Sequence, residues 1–262
     1  MSSHDGHIRV IKIGGNVVDN PEALRAFVAD LAGMRGPRIL VHGGGKEATR
    51  LSGRLGIETT MIEGRRVTDA ATIDVVTMVY AGLINKRIVA GLQAAGANAI
   101  GLCGADGNVI PAKRRPANPV DYGFVGDIDP SAINDGLIAT LLDSGIVPVF
   151  CAICHDGNGS LLNCNADSVA SAVAVAASRI RPVDLTYCFE MPGVMRDIND
   201  PDSLIPHITP GLYADLKSEG VVSKGMIPKI DNAFAAINQG VSSVRICRSD
   251  ALLTDVGTVI TA

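Results

Sequence analysis

Tryptophan is absent, and the remaining aromatics, five Phe and four Tyr, make up 3% of the 262 residues. So small a stock leaves no platform for stacking bases. With 23 Lys and Arg against 27 Asp and Glu, there is also no excess of positive charge to hold a phosphate backbone. A nucleic-acid partner is therefore not expected. Apolar residues reach 47%, yet they fall in short runs, none approaching the ~20 needed to span a bilayer. The polar opening Met1-Ser2-Ser3-His4-Asp5-Gly6-His7 lacks an apolar signal core. These absences predict a soluble cytoplasmic protein with no membrane partner.

Six cysteines are scattered through the chain without a secretory signal, which excludes a disulfide framework and predicts reduced core thiols. Cys151-Ala152-Ile153-Cys154-His155 matches a haem-attachment pattern in form. The apolar run Val147-Pro148-Val149-Phe150 leads straight into it as a buried strand, and no second Cys/His pair lies at zinc spacing. Neither haem nor a zinc site is expected.

What is present is an alternation of strand and helix patterns. Ile8 to Ile13 is apolar and β-branched, and Pro21-Glu22 opens an amphipathic stretch ending near Gly33 to Gly36. The unit recurs at once: Arg38 to Val41 runs into Gly43 to Gly45, with a helix from Lys46 to about Leu55. Asp69 caps a long helical region, broken near Gly82, that reaches about Ala95. A strand at Ala99 to Leu102 and a proline-punctuated β-hairpin excursion between Gly107 and Asp129 follow. Next come a helix over Pro130 to Asp143, a strand ending at Phe150, and a helix from Ala166 to about Ser178 with Asn165 at its start. The last third holds a strand at Val183 to Cys188, helices near Pro210 to Ser218 and Pro228 to Asn238, and strands near Val244 and Val259. Such alternation predicts an α/β fold with a mostly parallel central sheet covered on both faces.

Gly-rich turns that follow strands can aim backbone N–H groups at a phosphate. Two common nucleotide motifs fail here. Glu47 follows Lys46 where a P-loop needs Ser or Thr, and neither glycine cluster has Gly-x-Gly-x-x-Gly spacing. Lys12 stands within an apolar strand, where an unpaired ammonium would be costly; an anionic ligand or a partner such as Asp167 is the economical explanation.

Five motifs occur in order: Lys12-x-Gly14-Gly15, His42-Gly43-Gly44-Gly45, Gly64-x-Arg66-Val67-Thr68, Asn163-x-Asn165-Ala166-Asp167 and Gly225-Met226-x-x-Lys229. From Lys12 to near the C-terminus the chain thereby resembles the amino acid kinase family, and most closely its acetylglutamate kinase branch. The resemblance implies a three-layer α/β/α sandwich of the carbamate kinase-like kind, one domain over residues 1–262. Residues 8–178 would form a lobe for an N-acylated glutamate and for dimerisation, and residues 179–262 a nucleotide lobe. ATP and Mg2+ are the implied cofactors and a homodimer the implied assembly. The short stretch before Lys12 adds an expectation of no arginine feedback. By the same likeness Lys12, Asp167 and Lys229 would be catalytic, with Asp167 orienting both lysines. Gly14, Gly15, Gly43, Gly44 and Gly45 would bind phosphate. Gly44, Gly45, Arg66, Asn163 and Asn165 would bind the acylglutamate, and Glu190, Gly193 and Lys229 the nucleotide. No metal ligand is implied among the side chains.

Elementary chemistry agrees with that scheme. A glutamate side chain, with a pKa of about 4.3, is already ionised at neutral pH and needs no general base. The obstacle is repulsion between anions, which lysines, magnesium and helix N-termini can relieve. One departure stands out: where relatives carry Ser or Thr followed by Asp, this chain has Phe189 and Glu190. A second question is whether Lys113-Arg114-Arg115 faces the substrate and favours an N-succinyl over an N-acetyl group. The alternatives are a kinase acting on a carrier-linked aminoadipate, and a non-catalytic sensor of acyl amino acids.

Overall fold

The computed structural model describes residues 6–222 and 226–262; Gly225 of the last motif and the first five residues lie outside them. The chain begins with β1 (Ile8–Ile13), whose β-branched run is buried on both faces as a central parallel strand requires. A single turn, α1 (Gly15–Val18), leads to α2 (Pro21–Gly33), where Pro21 sits at the first position and the Asn20 side chain accepts from Glu22 N and Ala23 N. Then come β2 (Arg38–His42), α3 (Gly45–Arg54) and a hairpin of β3 (Met61–Ile62) and β4 (Arg65–Arg66).

Asp69 caps α4 (Ala70–Thr77) by accepting from Thr72 N, as its sequence position predicts. The break expected near Gly82 is not there. A π-helical segment, Met78–Ile84, carries the axis without interruption into α5 (Asn85–Ala94). One inserted residue per turn keeps the hydrogen-bond ladder closed, which an exposed glycine alone does not reveal. Residues Ala70–Ala94 are together long and apolar enough, by length and composition, to cross a membrane. Here they pack on α2, α3 and the strand that follows, β5 (Ala99–Leu102), as a core helix.

β6 (Ala112–Arg114) and β7 (Gly126–Ile128) form the predicted hairpin. Its arginines serve the hairpin itself. Arg115 pairs with Asp127, while Arg114 donates to Gly123 O and approaches Asp121 at 3.7 Å. The single helix expected over Pro130 to Asp143 is split by a 3-10 turn at Pro130–Ala132. Asn134 then caps a separate α6 (Asp135–Asp143) through its bond from Leu137 N.

The chain continues through β8 (Val147–Cys151), the β9 (Ile153–His155) and β10 (Leu161–Asn163) hairpin, α7 (Ala166–Ala177) and β11 (Val183–Phe189). β12 (His207–Ile208), a two-residue strand too short for sequence patterning to register, precedes α8 (Pro210–Ser218), α9 (Ile227–Ile237), β13 (Ser243–Arg248) and β14 (Thr258–Ile260). α7 is almost wholly Ala and Val because it lies between the sheet and α6 and α9, where all but one of its last eight residues are buried.

One eight-stranded sheet, in the order β12-β14-β13-β11-β1-β2-β8-β5, runs through both halves and is parallel except where β13 meets β14. β1 is flanked by β2 and by β11, so the chain leaves β1 toward one edge and later returns to its other side. Such a switch point opens a crevice beyond the carboxyl ends of the strands, which is where α/β sheets bind ligands.

The cysteines are free and five of the six are buried. Burial pushes the Cys151 thiol up to about 12, and Cys154 is raised by its contact with Cys164 as well as by burial. His155 Nδ1 accepts from Gly157 N. Among the described residues no group of three or more His, Cys, Asp or Glu could hold a metal.

Candidate functional site

Two clefts meet at the switch point and share Gly14 and Gly15. The larger, about 700 Å³, opens over the ends of β1 and β11. Its walls include Asn16, Phe27 and Asp30 from the first third, and Phe189, Glu190, Lys229, Arg248 and Asp250 from the last. The smaller, about 260 Å³, opens over β1 and β2. It is lined by Lys12, Gly43, Gly44, Gly45, Arg66, Tyr80, Asn163 and Asn165, with Met61, Gly64 and Arg65 of the β3–β4 hairpin at its rim.

Lys12 points from β1 into the junction. It is only 7% exposed, and its Nζ lies 2.7 Å from Asp167 Oδ1. That contact is an ion pair without the alignment of a good hydrogen bond. Asp167 occupies the first turn of α7 because Asn165 caps that helix, its Oδ1 accepting from Asp167 N and Ser168 N. Asn165, which lines the smaller cleft, therefore spends its oxygen on the helix and keeps its amide NH2 group as a donor.

α1 and α3 begin at Gly14 and Gly44, whose lack of a side chain leaves the first-turn N–H groups uncapped. Gly44 must also be small. A Cβ there would press into Ile84 Cδ1 and lie 2.9 Å from Tyr80 Cδ1, both from the π segment. Gly44→Ala is expected to cost about 1–3 kcal/mol of stability by overpacking and to loosen the α3 N-terminus. A urea titration with a midpoint matching the unsubstituted chain would rule this out.

Arg66 is 7% exposed. It donates to Gly45 O, Thr49 Oγ1 and Thr59 Oγ1, and among the described residues no carboxylate pairs with it. A buried guanidinium held only by neutral oxygens is set up to receive an anion. Thr68 links this group to Asn163: Thr68 Oγ1 donates to Arg66 O and accepts from Asn163 Nδ2. Of the two adjacent arginines, Arg66 is the buried one and Arg65 is partly exposed.

His42 has the structural role its position suggests. Asn85 Nδ2 donates to His42 Nε2 and to Val149 O, while Lys86 Nζ donates to Asn85 Oδ1, so the partners require a neutral imidazole whose Nδ1–H bonds Gly43 O. Burial lowers its pKa from 6.5 to about 4. Between those values the unfolded chain takes up a proton that the folded chain refuses. The contribution is complete above pH 6.5 and is lost as pH falls toward 4, by at most about 3 kcal/mol. The stability difference between the chain and His42→Gln should narrow over that window; a constant difference in urea unfolding would refute it.

Lys229, on the first turn of α9, stands near enough to Asp167 to feel its charge but forms no ion pair with it. Its Nζ lies 3.7 Å from the centroid of the Phe189 ring, and no carboxylate is within ion-pair distance among the described residues. Burial lowers its pKa; nearby Asp167 and Glu190 oppose that effect and Lys12 adds to it. Glu190 is exposed on the wall of the larger cleft. Gly193, expected at the nucleotide, lines neither cleft. It packs where a Cβ would meet Thr258 N at 2.9 Å, and Val194 N donates to Thr258 Oγ1, so smallness there serves strand packing. Lys113, Arg114 and Arg115 line neither cleft.

Tyr80, Phe27, Arg248 and Asp250 carry no motif and were not readable as site residues. Tyr80 lines the smaller cleft from within the π segment.

Comparison with known proteins follows the same lines. The amino acid kinase family matches residues 7–248. A Cytophaga hutchinsonii protein named acetylglutamate kinase is 55% identical over 245 residues, 93% of this chain and 92% of its own length. One of the same name from Phocaeicola vulgatus is 52% identical, covering 97% and 98%. A solved structure from Streptococcus mutans UA159 superposes with a TM-score of 0.76 at 29% identity, covering 97% and 98%.

Proposed function

The chain belongs to the amino acid kinase family, and from that premise we propose that it transfers the terminal phosphoryl group of ATP to the side-chain carboxylate of N-acetyl-L-glutamate, forming an acyl phosphate for arginine synthesis. The observation that carries the reading is the Lys12–Asp167 pair, whose ammonium lies beside Gly14, a residue that both clefts share. A carrier-linked substrate or a sensor without turnover is not favoured, because relatives matching nearly the whole chain are named acetylglutamate kinase.

In this reading the smaller cleft takes the acylglutamate, with Arg66 and Asn163 holding its α-carboxylate and the Asn165 amide beside them. The nucleotide takes the larger cleft beside Glu190 and Lys229. The phosphoryl group passes over Gly14 and Gly15, where N–H groups of the β1 and β2 turns, with Gly43 to Gly45, receive its oxygens. No proton needs to be removed from the attacking carboxylate, so the work of the site is alignment and charge neutralisation. Lys12 supplies a positive charge at the junction, and Asp167 keeps that charge in place when no phosphate is present. Among the described residues no side-chain cluster could hold a metal; Mg2+ would be carried in on the nucleotide's own phosphates and would supply charge neutralisation there. We place the enzyme in the cytoplasm as a homodimer, with residues 8–178 as the acylglutamate and dimer lobe and 179–262 as the nucleotide lobe.

Hydroxylamine trapping with MgATP and, in parallel, N-acetylglutamate, N-succinylglutamate and free glutamate tests the reaction and the acyl group together. Hydroxamate from N-acetylglutamate alone is the expected result; none from any acylglutamate would sink the reading. Arg66→Leu should raise KM for the acylglutamate by roughly 10- to 100-fold, the loss of a charge-assisted bidentate contact, with KM for ATP little changed. Equal effects on both constants would show that Arg66 acts through folding.

A further inference from the structure

β11 ends by bringing two aromatic rings to one face of the sheet. Tyr187 and Phe189 are two residues apart, so they project from the same side. Their rings stack at 5.9 Å with an interplanar angle of 11°. Tyr187 is buried, and its hydroxyl donates to Asp167 O, which fixes the lower ring against α7. Lys12 is its register partner on β1 and projects from that face too. Phe189 is thus held from below, and the ammonium groups of Lys229 and Lys12 both lie near its ring: Lys229 Nζ at 3.7 Å from the centroid and Lys12 Nζ at 5.3 Å.

Both distances fall within the ~6 Å over which an ammonium is attracted to the negative face of an aromatic ring. For Lys12 the ring is secondary, because Asp167 already pairs with it. For Lys229 it is the nearest stabilising group. The charged groups facing this ammonium are Lys12 on β1, Asp167 on α7 and Glu190 just past β11, with Arg248 and Asp250 also on the walls of the larger cleft. None of these carboxylates comes within ion-pair distance of it among the described residues. A half-buried ammonium without a salt bridge would otherwise turn outward to water.

We infer that Phe189 is a positioning residue for Lys229: its ring is the resting seat of the ammonium group, holding it at the mouth of the larger cleft until a nucleotide's phosphate oxygens take it over. The inference rests on the phosphoryl-transfer reading for its consequence, not for its geometry. A Ser or Thr would offer a hydrogen bond to a ligand, whereas the ring offers a seat to the protein's own cation.

The test separates the seat from the reaction. In the ligand-free chain labelled at lysine Cε, the Lys229 resonance, assigned by its loss in Lys229→Arg, is titrated by NMR. Phe189→Leu keeps apolar bulk without the quadrupole and should move the Lys229 titration to lower pH. Phe189→Tyr should stay closer to the unsubstituted chain, and 3,4,5-trifluorophenylalanine placed at 189 should fall between Tyr and Leu. In turnover, Phe189→Leu should lower kcat for acyl phosphate formation by roughly 2- to 30-fold, the span of a cation–π contact, and move the alkaline limb of the rate profile down with the titration. KM for the acylglutamate should hold. A Lys229 titration that ignores the ring overturns the seat whether or not the chain turns over. A titration that moves while kcat and its pH profile do not overturns its role in the reaction. An unsubstituted chain that makes no acyl phosphate overturns the phosphoryl-transfer reading and that role, leaving the titration to decide the seat.

Discussion

Lys12→Ala should lower the rate of acyl phosphate formation by about 10²- to 10³-fold while barely changing the stability of the fold. The rate loss follows from where the charge stands. Its ammonium sits at the junction of the clefts with little access to water, where a fixed positive charge is worth far more to a developing anionic transition state than it would be in solution. The small stability effect follows from what is left behind. The Asp167 side chain is 30% exposed, and truncating Lys12 opens its buried Oδ1 to the same water, so the orphaned carboxylate can be solvated while Asn165 continues to cap α7. Hydroxamate yield at saturating substrates, beside a urea titration of the same preparation, checks both halves. A variant within tenfold of the unsubstituted rate would remove Lys12 from the transfer step.

The opposite substitution should behave asymmetrically. Asp167→Asn keeps the shape and removes the charge, leaving the Lys12 ammonium, whose side chain is 9% exposed, without an anion. Breaking a buried pair from this side costs more than breaking it from the exposed side. The expected loss is about 1–3 kcal/mol of stability, together with a rate loss of at least 10²-fold as Lys12 leaves its place. Pairing Asp167→Leu with Lys12→Met should recover most of the stability and none of the activity, because an apolar pair carries no buried charge. Additive stability losses in that double variant would show that the ion pair has no energetic coupling. An Asp167→Asn chain with a normal rate would show that the carboxylate is a spectator.

Local patterns were legible where local chemistry decides. Asp69 and Asn165 cap the helices their positions announce, and Pro210 opens α8 at the residue where a proline without an N–H is tolerated. The buried Lys12 in a β-branched strand called for a partner, and Asp167 supplies it from 155 residues away along the chain. Patterning did not show the π segment at Gly82, since a glycine and a shift in the phase of the apolar face read equally as a helix break. It did not show that Pro130 to Asp143 needs two caps, nor that Gly193 is small for the sake of Thr258. The basic run Lys113-Arg114-Arg115 could have faced a substrate; Asp121 and Asp127, folded back within the same hairpin, take up its two arginines.

By itself the sequence determined the family, the parallel α/β alternation and the residues that carry charge into the site, because motif spacing and burial of β-branched strands are properties of short stretches. Only the tertiary structure decided which anion each cation meets. Asp167 holds Lys12 and leaves Lys229 to the Phe189 ring, while Arg66 is left facing neutral oxygens. Those choices depend on distances of a few ångströms between β1, α7, β11 and α9, and electrostatic attraction in a half-buried site changes over that same length.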